Sequence, residues 1–319
     1  MKAATRSGDE DRERRLRERS MATPPRRDDG GLYAYLMTPY NRRGDVDAGV
    51  LAEYVDAIKS SGVDGVTCIA STCEGPYLTE RERHLVATTV GKAAAGRIKV
   101  NMGIGAVSTR QAIEYAKQAR DAGADSLMLE MQQYFSITFE DAVRHYQAIA
   151  AAVALPIRLY NITAPTHFDF TPDRLARMTG LKSILSMKES SGDVTRVRDI
   201  KVLCGDRFTL YCGFHFQALD AFRFGARGWE AGMHPLIVKP CVELYRALRA
   251  DPMSSKAESL YRRLAPLFHF FRHSGVPQSI KAMSQWTGLK LGRPRAPLAD
   301  LSPQAKDRLK QLLKDLGVL

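Results

Sequence analysis

The sequence predicts an α/β fold, a closed (β/α)8 TIM barrel followed by a C-terminal three-helix segment. Three observations carry that reading. From Leu32 onward, short apolar runs alternate with helical stretches eight times over roughly 220 residues, the period of a parallel barrel. The helical stretches open on capping residues, and several close on glycine. The turn after the first run, Pro39-Tyr40-Asn41-Arg42-Arg43-Gly44, is not the glycine-rich phosphate loop that an open doubly wound sheet carries there.

The strands are expected at Tyr33–Thr38, Gly65–Ala70, Ile98–Gly103, Ser126–Glu130, Ile157–Asn161, Ile184–Lys188, Thr209–Gly213 and Gly228–Gly232. Between them, Thr79 with Glu82 and Ser108 with Gln111 read as capping boxes, and Thr138 precedes Asp141 at the same spacing. Thr171 is followed by Pro172 at a first helical position, and Asp193 is placed to cap a helix from Val194. Ser61-Gly62, Ala122-Gly123 and Thr179-Gly180 read as helix ends. Ala112, Tyr115, Ala116 and Ala119 share one stripe, as a helix packed on a sheet requires. After Ala250 the alternation stops, and helices are expected at 254–273, 277–287 and 303–316. The domains then run 31–250 for the barrel and 251–319 for the helical segment. Residues 1–30 are dense in Arg, Asp and Glu and are expected to be a disordered charged tail, with Met21 an alternative start.

Composition narrows the function classes. The 319 residues, 45% of them apolar, are enough for a large core, and no apolar run approaches the length of a bilayer span. The N-terminus lacks an apolar signal core, so a cytoplasmic protein without a membrane partner is expected. Five cysteines without a Cys-x-x-Cys pair argue against a disulfide framework and a structural zinc. The net charge of +12 is spread over helix faces and not gathered with aromatics, so it points to anionic small molecules and not to nucleic acid.

In such a barrel the chemistry sits at the C-terminal ends of the strands. Those ends read Thr38-Pro39-Tyr40, Ala70-Ser71-Thr72-Cys73-Glu74, Gln133-Tyr134-Phe135, Tyr160-Asn161, Lys188, Gly213-Phe214-His215 and Glu230. Lys188 closes the apolar run Ser183-Ile-Leu-Ser-Met187. Burial there disfavours the ammonium, and a neutral amine condenses with a ketone to a Schiff base. Taken alone, Lys188 reads more readily as a solvated strand end paired with Glu189, since lysines at strand ends are common. Tyr160, at equivalent depth on the neighbouring strand, changes that balance, because a phenol beside the amine can shuttle protons. Ser71 and Thr72 offer hydroxyls and N–H groups suited to a carboxylate.

These residues resemble the dihydrodipicolinate synthase / N-acetylneuraminate lyase family of pyruvate-type class I aldolases. The resemblance runs from about Leu32 to the C-terminus. It rests on Thr38-Pro39-Tyr40, Ser71-Thr72-Cys73-Glu74, Leu159-Tyr160-Asn161, Met187-Lys188-Glu189-Ser190-Ser191-Gly192-Asp193 and Gly225-Ala226-Arg227-Gly228. It implies Lys188 as the Schiff-base residue for a 2-oxo acid such as pyruvate, and Tyr160 as the proton shuttle. Ser71 and Thr72 would hold the carboxylate beside Gly213. Tyr134 would reach across a subunit interface of a homo-oligomer, a dimer or tetramer. No metal or organic cofactor is implied. Three positions depart from the family. Cys73 stands for a glycine. Pro165 stands where dihydrodipicolinate synthases carry an arginine for the aldehyde's carboxylate. Phe214, His215 and Phe216 follow Gly213 where N-acetylneuraminate lyases place acidic residues. Phe214 and Phe216 would make the pocket more apolar. Glu230, beside Trp229, is expected either to read the second substrate or tune Lys188, or to pair with Arg158 or Arg227.

The resulting expectation is a Schiff-base lyase or aldolase acting on pyruvate or a related 2-oxo acid. The alternatives are a dehydratase or hydratase using the same lysine, 4-hydroxy-tetrahydrodipicolinate synthase itself, and, from another class, a non-catalytic ligand sensor. A phosphate-binding isomerase is disfavoured, because Gly232-Met-His-Pro235 makes a poor phosphate cradle.

Overall fold

The computed structural model describes residues 28–319. Its centre is a closed barrel of eight parallel strands in sequence order, each hydrogen-bonded to the next and the last to the first. The strands are β1 Gly31–Tyr35, β2 Gly65–Cys68, β3 Lys99–Gly103, β4 Ser126–Glu130, β5 Ile157–Asn161, β6 Ile184–Glu189, β7 Thr209–Cys212 and β8 Gly228–Gly232. Alternation sorts their side chains. Leu32 and Ala34 face the helices, whereas Tyr33 and Tyr35 enter the barrel, and the same parity puts Tyr160, Lys188 and Glu230 inside.

Large inward rings need gaps opposite. A Cβ at Gly65 would lie 2.2 Å from the Tyr33 ring, and one at Gly228 would lie 2.2 Å from the Tyr211 ring. Glycine at these two positions lets two tyrosines fill the foot of the barrel. Between their rings lies the Arg158 guanidinium, 3.6 Å from the Tyr211 centroid and 4.5 Å from that of Tyr33.

The first strand begins two residues earlier than expected and ends before Thr38. Thr38 instead donates its hydroxyl to the Cys73 carbonyl at 2.6 Å, fastening the exit of β1 to the turn after β2. The capping box at Thr79 and Glu82 is complete, as is that of Thr138 and Asp141. The one at Ser108 is half formed, because the Gln111 amide turns away to Glu80. The helix after β6 starts one residue later than expected, at Thr195, with Asp193 accepting the Thr195 N–H at 3.0 Å. Beyond β8, helices span Pro235–Ala250, Ser255–Ser274, Val276–Met283 and Pro303–Asp315. Trp229 faces outward and packs edge-on against Phe268 of the helix Ser255–Ser274.

Of the tail expected at 1–30, residues 1–27 lie outside the described residues. Residues 28–30 are ordered at the barrel foot, where Asp28 pairs with Arg158 at 3.0 Å and accepts from the Tyr211 hydroxyl at 2.7 Å. Among the described residues, no helix is long and apolar enough to cross a membrane.

Candidate active site

Lys188 sits one residue before the end of β6, and its side chain is 1% exposed. Tyr160 on β5 is its register partner. The amine lies 4.1 Å from the centroids of both the Tyr160 and the Tyr35 rings. It donates a hydrogen bond of 2.6 Å to the Tyr35 hydroxyl across the lumen. Burial pulls the amine's pKa down to about 8, against an opposing pull from the Glu230 carboxylate. Burial also pushes the Tyr160 phenol well above its usual range, so it stays protonated until something takes its proton. The Ser71 hydroxyl donates to Tyr160 at 3.3 Å, linking the turn after β2 to the phenol.

That turn is a tight piece of backbone. Ile69 (φ 61°) and Glu74 (φ 63°) bracket the single 3-10 turn Ser71–Cys73 in left-handed conformations. A β-branched residue there is strained, and such strain is retained where a site demands it. Ser71 and Thr72 are the first residues of the turn, so their N–H groups have no acceptor within it. Cys73 is fully buried and donates its thiol to the Thr67 carbonyl, so a side chain fits where the family resemblance led us to expect glycine. Beneath the turn, Lys281 of the helix Val276–Met283 pairs with the Glu74 carboxylate at 2.5 Å, both side chains buried.

Gly213 follows β7 and donates its N–H to the Glu189 carbonyl. A Cβ at Gly213 would lie 1.7 Å from the Ser190 hydroxyl and 2.8 Å from Lys188 Cε. Glycine therefore admits the lysine stem and Ser190 together. The Asn161 amide donates to Glu189 and Asp169, fixing the loop after β5 and not pointing at the amine.

Two residues of the expected site stand outside this cluster, Glu230 in the layer below and Tyr134 on the surface, from which it was expected to reach a neighbouring subunit. Glu230 is wholly buried inside the barrel, and its carboxylate is committed to Arg158 at 3.1 Å, to the Asn101 amide at 3.0 Å and to the Thr67 hydroxyl. Tyr134 is 83% exposed, edge-on to Phe135 at 5.0 Å, on the outer surface of its own chain. Phe216 stacks on Phe214 at 5.3 Å and lies under Arg272 at 4.3 Å, so this ring covers the flank beside the helix Ser255–Ser274. Tyr35 was absent from the expected site, although the alternation Leu32-Tyr33-Ala34-Tyr35 already put it on an inner face.

A primary amine kept from water at the C-terminal end of a parallel barrel, level with a phenol, is made for carbonyl condensation. This places the protein among the class I lyases, which hold their substrate as a Schiff base on lysine. The chain belongs to the dihydrodipicolinate synthetase family, whose sequence profile matches residues 28–316. It is similar to proteins named 4-hydroxy-tetrahydrodipicolinate synthase. One, from Synechococcus sp. (strain JA-2-3B'a(2-13)), is 32% identical over 91% of this chain and 94% of its own. Another, from Nitrosococcus oceani, is 33% identical over 91% of this chain and 99% of its own. Among solved structures, the 4-hydroxy-tetrahydrodipicolinate synthase of Methylacidiphilum fumariolicum SolV superposes with a TM-score of 0.85 at 29% identity, over 91% of this chain and 96% of that one. Dihydrodipicolinate synthase from Aquifex aeolicus gives 0.86 at 26% identity, over 91% and 98%.

Proposed function

We propose that the Lys188 amine condenses with the keto carbon of pyruvate or a related 2-oxo acid, and that the enzyme then makes or breaks the bond between C3 and C4. The observation that carries this reading is the burial of that amine at the level of the Tyr160 phenol. The neutral nitrogen attacks C2, Tyr160 relays the protons that turn the carbinolamine into an iminium and water, and Ser71 passes protons to and from the phenol. The N–H groups of Ser71 and Thr72 suit the substrate carboxylate. Tyr35 holds the nitrogen in place, and Glu230 acts on it from the layer below without touching substrate.

The relatives' name suggests one second substrate, but Pro165 in the helical turn Thr163–Thr166 offers no guanidinium for an aldehyde's carboxylate. We therefore favour a second substrate without that group. The exposed pair Tyr134 and Phe135 is an apolar patch suited to a second copy of the chain, and a homo-oligomer is proposed on that ground. Sedimentation of the wild type against Tyr134→Ala checks it.

Borohydride reduction in the presence of pyruvate tests the chemistry. Mass added at Lys188, and none in Lys188→Ala, is the expected result; an unmodified Lys188 overturns the reading. A panel of 2-oxo acids and 2-oxo-3-deoxy sugar acids, followed by pyruvate release, then identifies the partner.

A further inference from the structure

Glu130 ends β4 and is the register partner of Tyr160, which is in turn the partner of Lys188. The three side chains therefore share one level across β4, β5 and β6, all facing inward. Glu130 is 3% exposed. Its Oε1 accepts a hydrogen bond from the Gln132 amide at 3.1 Å, and its Oε2 is buried without a partner. The space it fills is kept open by Gly105, where a Cβ would lie 2.5 Å from the Glu130 carboxyl carbon. A buried carboxyl with one idle oxygen is costly, and such a group persists where a ligand completes it. Nothing in the Schiff-base chemistry described so far employs it.

We propose that Glu130 Oε2 contacts the C4 oxygen of a 4-hydroxy-2-oxo acid bound to Lys188 and protonates it, so that the enzyme expels water and forms a 2-oxo-3-enoic acid. This inference rests on the Schiff-base reading. In the enamine, the nitrogen lone pair re-forms the C2=N bond, the C2=C3 pair moves to C3=C4, and the C4–O bond breaks. The departing oxygen takes the Glu130 proton and leaves as water. Hydrolysis of the iminium frees the enoic acid, and the reverse sequence adds water, with Glu130 recovering the proton.

Relative acidity favours the carboxyl over Tyr160 for this step. Hydroxide is a poor leaving group, and Tyr160 is a weak acid held weaker still by burial. Burial pushes the Glu130 carboxyl above the usual carboxylate range, so it holds its proton more firmly than an exposed glutamate does while remaining a stronger acid than the phenol. The Gln132 amide occupies Oε1, which leaves the proton on Oε2.

The test uses the full-length enzyme with 4-hydroxy-2-oxopentanoate in 18O-labelled water. The wild type should place 18O at C4 and accumulate the conjugated enoic acid, seen by its ultraviolet band. Glu130→Gln should lose both by about a hundredfold or more, the range for removing a general acid, while borohydride still traps pyruvate on Lys188 at the wild-type rate. Wild-type trapping of pyruvate without 18O exchange or enoic acid overturns this inference alone. Glu130→Gln that exchanges as fast as wild type overturns it too, and so does loss of exchange and trapping in parallel, which would make Glu130 structural. Failure of the wild type to trap pyruvate at all removes the Schiff-base reading and this one together.

Discussion

Lys188 owes its reactivity to where its stem runs. An exposed lysine with the ordinary pKa of 10.5 is neutral in only about three molecules per ten thousand at pH 7, whereas a pKa of about 8 raises that to about one in ten. The neutral amine is the nucleophile, so the rate of pyruvate trapping should climb as pH rises, pass half its maximum near pH 8 and level off about one unit above that. A rate still climbing at pH 10 would contradict it. Tyr35 accepts a hydrogen bond from the nitrogen and so favours the charged form. Tyr35→Phe should move the trapping profile to lower pH and leave its shape unchanged. The same profile measured on both proteins decides the point.

At the scale of strands, the barrel interior is stacked in layers of unlike chemistry. The lower layer holds Asp28, Arg158 and Glu230 between two tyrosine rings; the upper holds Lys188, Tyr160 and Tyr35. Breaking a buried pair by removing one partner strands the other charge. Glu230→Gln should therefore cost about 3 kcal/mol in denaturant unfolding, the low end of that range because Asp28 still faces Arg158. It should also shift the Lys188 profile to lower pH, since Glu230 supports the ammonium. Gly213→Ala intrudes on backbone at Glu189 and on Lys188 Cε, both 2.8 Å away, so it cannot be absorbed by one rotamer change. Trapping should fall at least tenfold, and a wild-type rate would show that the β7 exit yields more than its packing suggests.

Across the whole molecule, a buried ion pair ties the C-terminal helices to the turn beside the site. Lys281 pairs with Glu74, and the Glu74 backbone N–H closes the turn on Ser71. Lys281→Met should leave Glu74 as a buried carboxylate without a counter-charge, held by the Arg295 N–H alone, lower stability by about 3 kcal/mol, and raise KM for the 2-oxo acid more than it lowers kcat. Steady-state kinetics beside a melting curve separates the two effects. An unchanged KM would confine the helical segment to a structural role.

The barrel, the order of its strands and the facing of Lys188 and Tyr160 were legible in the sequence, because period, caps and strand parity are properties of residues near one another in the chain. The Thr79 box and the equal depth of Tyr160 and Lys188 belong to that class. Closure of the barrel decided the rest. Tyr35 meets Lys188 from 153 positions away, between strands that are not neighbours, and only the width of the lumen and the reach of two long side chains bring them together. Closure likewise gave Glu230 to Arg158 and drew Asp28 up into the foot. Contacts across a lumen leave no periodic trace along a chain, so they appear only once the ring of strands is complete.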